Sequence, residues 1–139
     1  MPEKKTIERA RKDAREGKAP TTQAGEFVRE EMEHIREGKH GARSTKQAIA
    51  IGLSKARRAG VKLPPPKPGQ ASERARKQAK RELKKAESEP ARKPSPKRSR
   101  AVSKALKKEG HSAASPRALS KQAKQAARKR RSRSGRTQK

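Results

Sequence analysis

The chain has 139 residues, 42 of them Lys or Arg and 14 Asp or Glu, for a formal net charge of +28. Leu, Ile, Val and Phe together supply only 13 residues, while 22 Ala make up most of the other apolar content, which is the composition of a chain with little core. No Cys is present, excluding disulfides, cysteine zinc sites and thiol chemistry.

Residues 3–17 read as a short polar helix with one large apolar residue, Ile7, ending at Gly17. From Gln23 to Glu37 the residues Ala24, Phe27, Val28, Met32 and Ile35 form one continuous helical stripe. Thr21 or Thr22 is placed to cap its start and Gly38 to end it. After "GKHGARS", Ser44 and Gln47 make an S-x-x-Q capping box that opens a second helix, 45–59, which Gly60 terminates. Its face carries Ala48, Ile49, Gly52, Leu53 and Ala56, so a helical hairpin is expected, with Phe27 and Ile35 packed on Ile49 and Leu53. Gly52 and Ala56 permit close approach of the backbones. Ile51 lies off the stripe, so it needs the N-terminal helix or self-association with a second copy through the hairpin to cover it.

"LPPPKPGQAS" is a stiff linker. Ser72–Ser88 reads as a solvated helix with a faint seam of Ala75, Ala79, Leu83 and Ala86. "EPARKPSPKRS" breaks the chain again. "RAVSKALKK" (100–108) then nearly repeats as "RALSKQAKQ" (117–125), and each copy follows a Ser-Pro that suits a helix start. "EGHSAA" separates them, and "ARKRRSRSGRTQK" shows no pattern beyond charge. The expected organisation is all-α: a polar helix (1–20), a hairpin core (21–63), a proline linker (64–72), and a basic tail (73–139) with short helices and a disordered end.

Little in the chain points to catalysis. Nucleotide-binding glycine motifs are absent, and Asp occurs once. Glu31-x-x-His34 has the spacing of half a di-iron carboxylate site, but no bundle is expected to hold one. His34 therefore reads as a solvated residue, and neither cofactor nor metal is expected. The protein reads as non-enzymatic.

The basic residues carry more information. Residues 1–63 hold 16 basic and 9 acidic groups, whereas residues 64–139 hold 26 and 5. Such a tail is expected to bind a polyanion through phosphate contacts with little sequence preference. The candidate contacts are Lys46, Lys55, Arg57 and Arg58 in the hairpin, then Lys97, Arg98, Arg100, Lys104, Lys107 and Lys108. Further along lie Arg117, Lys121, Lys124, Arg128, Lys129, Arg130, Arg131, Arg133 and Arg136. Phe27 is the single aromatic residue, so stacking platforms for single strands are missing and duplex DNA is favoured over RNA. The hairpin resembles a helix-turn-helix only loosely, because its seven-residue connection exceeds the usual three or four. Glu26, Glu30, Glu33 and Glu37 form an acidic stripe that opposes phosphate and suits a protein partner instead.

"GEFVREEMEHIREGKHGARSTKQAIAIGLSKARRAGVKLPP" resembles a small bacterial family of uncharacterised proteins, over roughly residues 20–65. That resemblance implies a bacterial origin. The tail is similar to Lys/Ala-rich bacterial histone-H1-like proteins, and "SPKR" (95–98) resembles the Ser-Pro-Lys-Lys repeats of linker-histone tails, which are associated with the minor groove of A·T-rich DNA. The expectation is a nucleoid-associated duplex DNA binder in the cytoplasm. An RNA- or ribosome-associated protein and an adaptor using the acidic stripe are the alternatives. No run of about 18 apolar residues is available to cross a membrane, and "MPEKKTIERARKDAREG" lacks the apolar segment of a secretion signal.

Overall fold

The structure is a computed structural model that describes residues 3–68, 71–88 and 95–137. The described residues form six α-helices: α1 (Lys4–Arg15), α2 (Pro20–Arg36), α3 (Thr45–Arg58), α4 (Glu73–Ser88), α5 (Pro96–Lys107) and α6 (Pro116–Thr137). A short 3-10 turn, Ser112–Ala114, joins the last two. The architecture is all-α, as composition and periodicity require. The break expected within "EPARKPSPKRS" lies mostly outside the described residues, which omit 89–94.

The α2–α3 pair is the centre of the molecule. The Ser44 hydroxyl accepts from Gln47 N at 3.2 Å, and the Gln47 side chain accepts in return from Arg43 N at 2.6 Å. The capping box is thus formed, with its return bond one residue earlier than the usual arrangement. Gly60, at φ 104°, ends α3 and lets Val61 N reach Ala56 O at 3.0 Å. The start of α2 differs from expectation: the helix begins at Pro20, whose fixed φ suits the first position, so Thr21 and Thr22 lie inside its first turn.

Packing between these helices keeps the expected pairs, Leu53 against the Phe27 cluster and Ile49 against the Ile35 cluster, but not the expected depth. Ala48, Gly52 and Ala56 are the buried residues of the α3 face, whereas Ile49, Ile51 and Leu53 are only half-buried. The cause is close approach. A Cβ at Gly52 would stand 2.7 Å from Val28 Cα, so the two backbones touch there and the larger side chains flank the contact. Phe27 packs with Ala56, Val61 and Leu63, joined by Ala10 of α1. Met32 and Ile35 pack with Ala42 and Ala48, joined by Ala113 and Ala114 of the 3-10 turn.

The hairpin is therefore completed from both ends of the chain. α1 docks on α2 through Thr6, Ala10 and Asp13, which are buried. The "EGHSAA" segment, which reads as a separator, instead closes the other end. Gly41 N donates to Leu106 O at 2.8 Å, Ala42 N to Gly110 O at 3.0 Å, and the Thr45 hydroxyl to Ala113 O at 2.6 Å. Arg36 Nε adds a bond to Ala114 O at 2.9 Å. α4 is not a purely solvated helix, because Ala79 and Glu82 are buried and the helix packs against α3. With α1, α4 and the turn in place, the apolar faces of α2 and α3 are partly covered. Among the described residues Val102 on α5 is an exposed large apolar side chain, and Ile51 stays half-buried.

Two glycines of the same helix pair test this packing. Gly52→Ala is expected to destabilise the protein by about 1–3 kcal/mol, the usual cost of overpacking. Gly25→Ala on α2, where a Cβ meets nothing within 4 Å, is expected to stabilise by about 0.4–1 kcal/mol. Urea unfolding of both variants checks the pair, and equal responses would contradict the close approach.

Candidate nucleic-acid interface

The basic residues singled out by sequence divide into two kinds. Arg57 is 6% exposed and sits at the end of α3. Its Nε donates to Leu63 O at 3.2 Å and its Nη2 to Pro64 O at 3.1 Å. Burial pushes its guanidinium pKa down, opposed by the nearby Glu82 carboxylate of α4; arginine stays charged regardless. From the other side, Arg76 of α4 donates to Pro66 O at 3.0 Å. Proline carbonyls have no ladder to join, and here two arginines bind the linker through them. Arg57, a candidate phosphate contact by sequence, is thus a buried structural strap whose guanidinium binds carbonyls.

Lys55, also a candidate contact by sequence, is paired within the fold. Its Nζ is bonded to the Glu31 carboxylate, which is itself 1% exposed as a side chain. Glu30 is also buried; its Oε1 accepts from Glu3 N at 2.8 Å and lies 3.5 Å from His34 Nε2. The acidic stripe Glu26, Glu30, Glu33, Glu37 is therefore interrupted at its second member, which weakens the adaptor reading. His34, read as solvated, is only 14% exposed as a side chain, and its Nε2 lies 3.2 Å from Glu3 Oε1. That contact, with Lys5 adding to it, holds the Glu3 carboxyl below its ordinary pKa. The first turn of α3 is covered by the 3-10 turn through Thr45 and Ala113, so α3 does not project as a groove-reading helix.

Lys46 and Arg58 remain exposed on α3, at its two ends. The larger cationic surfaces are α5 and α6. The Ser95 hydroxyl accepts from Arg98 N at 3.2 Å and the Ser115 hydroxyl from Ala118 N at 3.1 Å, so both Ser-Pro starts are capped. Lys97, Arg98, Arg100, Lys104, Lys107 and Lys108 on and beside α5 are all exposed. Arg100, Lys104, Lys107 and Lys108 line a shallow recess with Ser99 and Ser103. On α6, Arg117, Lys121, Lys124, Arg128 and Arg131 recur at alternating steps of four and three residues, and all are exposed. Those steps place them on one helix face, a cationic stripe about 21 Å long at 1.5 Å per residue. Lys129 and Arg130 are exposed beside it. The side chains of Arg133 and Arg136 lie outside the described residues. No acidic residue occurs in either helix.

Arg57 and its neighbour Arg58 are expected to separate stability from binding. Arg57→Gln leaves the carbonyl of buried Leu63 without its donor and should cost about 1–3 kcal/mol, with duplex affinity of the folded protein unchanged. Arg58→Gln should change stability by less than about 0.5 kcal/mol. Urea unfolding together with binding titrations reads both, and a stability-neutral Arg57→Gln would refute the strap.

Residues 4–67 match a family described as a family of unknown function (DUF6496). The match spans α1, α2, α3 and the start of the proline linker, with α4, α5 and α6 beyond it. No curated protein and no solved structure matches the chain.

Proposed function

We propose that the protein is a non-enzymatic nucleic-acid binder, a nucleoid-associated protein that holds duplex DNA through its phosphates with little sequence preference. One observation carries this reading: α5, and α6 as far as Arg131, expose cations along their length, and neither helix contains an acidic residue. Cations three and four residues apart on a helix repel one another, and a polyanion relieves that repulsion while releasing its counterions. The want of aromatic platforms favours duplex over single strand. Within α1–α4 most acidic groups are engaged internally, as Glu31 is by Lys55 and Glu30 by the Glu3 backbone, so that part of the chain acts as the anchor and α5 and α6 as the arms.

The salt dependence of binding tests the assignment. Replacing Arg117, Lys121, Lys124, Arg128 and Arg131 together by Gln is expected to flatten the plot of log affinity against log salt. Every phosphate that the variant no longer neutralises should lower the slope by about 0.9. Binding with an undiminished slope would place the phosphate-binding surface elsewhere. Competition between duplex DNA and structured RNA for the intact protein then decides the nucleic acid, and preference for RNA would overturn the nucleoid reading.

A further inference from the structure

The α1–α3 unit encloses a cluster of ionisable side chains that phosphate binding does not use. Glu31 and His34 come from α2, His40 from the α2–α3 loop, Glu30 from α2 and Glu3 from the start of α1. They form two overlapping triads, Glu31/His34/His40 and Glu3/Glu30/His34, each with donor atoms within 4.8 Å of one another. The second, independent feature is an orphaned oxygen: Glu31 Oε2 is buried without a hydrogen-bond partner, on a side chain 1% exposed.

The tautomer of His40 explains what that oxygen faces. His40 Nδ1 lies 2.9 Å from Gly41 O, and a carbonyl only accepts, so Nδ1 carries the hydrogen. In a neutral imidazole Nε2 then holds a lone pair, and it stands 3.2 Å from Glu31 Oε2. Two acceptors at that distance require something electropositive between them. The backbone carbonyl on Nδ1 is the outer partner that orients metal-ligating histidines, and carboxylates such as Glu3 and Glu30 beside His34 serve the same end. A tetrahedral ion with ligands at about 2.1 Å separates its ligand atoms by about 3.4 Å, so the Glu31–His40 pair already has the necessary spacing.

We propose that Glu31, His34 and His40 bind a divalent transition-metal ion of the zinc class, fastening the α2–α3 loop to α2. Two imidazoles and one carboxylate suit zinc, cobalt or ferrous iron, whereas calcium and magnesium call for oxygen shells. Lys55 on the other Glu31 oxygen holds the carboxylate in place without occupying the face toward His40. Sequence spacing offers Glu31 and His34 as a pair on one helix; His40 joins them from the loop after that helix.

The test uses the full, untagged chain. Zn²⁺ is expected to raise the melting temperature, with reversal by a chelator, as any ligand specific to the native state does. Co²⁺ is expected to give the visible absorption of a low-coordinate nitrogen and oxygen site. His40→Gln should weaken Zn²⁺ binding by more than the roughly 10–100-fold that loss of an outer partner costs. His111→Gln, at an exposed position outside the cluster, should leave it unchanged. X-ray absorption of the wild-type Zn²⁺ complex should count two imidazoles. Absence of a thermal shift would mean that the proposal falls. It falls equally if His40→Gln, folded by circular dichroism, keeps its affinity. Should that variant fail to fold, fewer than two imidazoles in the wild-type complex overturns the assignment.

Discussion

Contact between the α2 and α3 backbones at Gly52 is the constraint from which the rest of the molecule follows. With 13 large aliphatic or aromatic residues in 139, the chain lacks the volume to separate two helices by a layer of side chains. It brings them together on Ala48, Gly52 and Ala56 instead, so that Val28 lies directly over the glycine. Such a contact gains dispersion from main-chain atoms but buries little apolar area. The remaining surface of both helices must be covered from elsewhere, and below a certain size a domain requires such help. α1 and the 3-10 turn provide it from opposite ends of the chain.

Polar groups complete what the apolar residues leave unfinished. Arg57 and Arg76 bind three carbonyls of the proline-rich segment, and in doing so hold α4 close to α3. Glu31 with Lys55 and Glu30 with the Glu3 backbone connect α2 to α3 and to α1. A buried carboxylate is costly unless paired, which makes these groups effective at specifying one arrangement: a slipped register leaves a charge inside without a partner. Specificity here comes from charge placement more than from shape.

This division of labour also sets what can be read from the sequence. The stripe Phe27, Val28, Met32, Ile35 and the Ser44–Gln47 capping box depend on local periodicity and spacing, and both helices follow from them. Periodicity also selects Ile49 and Leu53 for full burial, yet both stay half-buried, because periodicity identifies a face and not the depth to which it sinks; Gly52 decides the depth. Ala113 and Ala114 carry no signal at all, since in a chain with 22 Ala nothing marks the two that enter the core. Lys55, Arg57 and Arg58 are equivalent as letters. Only the fold separates a lysine paired with a buried glutamate and an arginine bound to carbonyls from an arginine left facing solvent. His40 is invisible for a related reason, as its partner Glu31 lies nine positions away across a helix end.

Docking of the 3-10 turn gives the cationic helices a fixed origin. α5 ends and α6 begins within a few residues of Ala113 and Ala114, and that segment is held by Gly41, Ala42, Thr45 and Arg36. A wholly unattached basic tail loses chain entropy for each residue that a polyanion orders. Two capped helices springing from one anchored turn have lost part of that entropy in folding, which leaves less for any ligand to order. The anchor also limits mutual repulsion, because the helices meet at the segment where Glu109 lies near Arg43, at 3.8 Å, and where the side chains are small. Charge density then rises along α6, from alternate cations near Arg117 to the unbroken run Arg128–Arg131. No acidic residue interrupts that gradient within α6, so nothing along the helix offsets its charge.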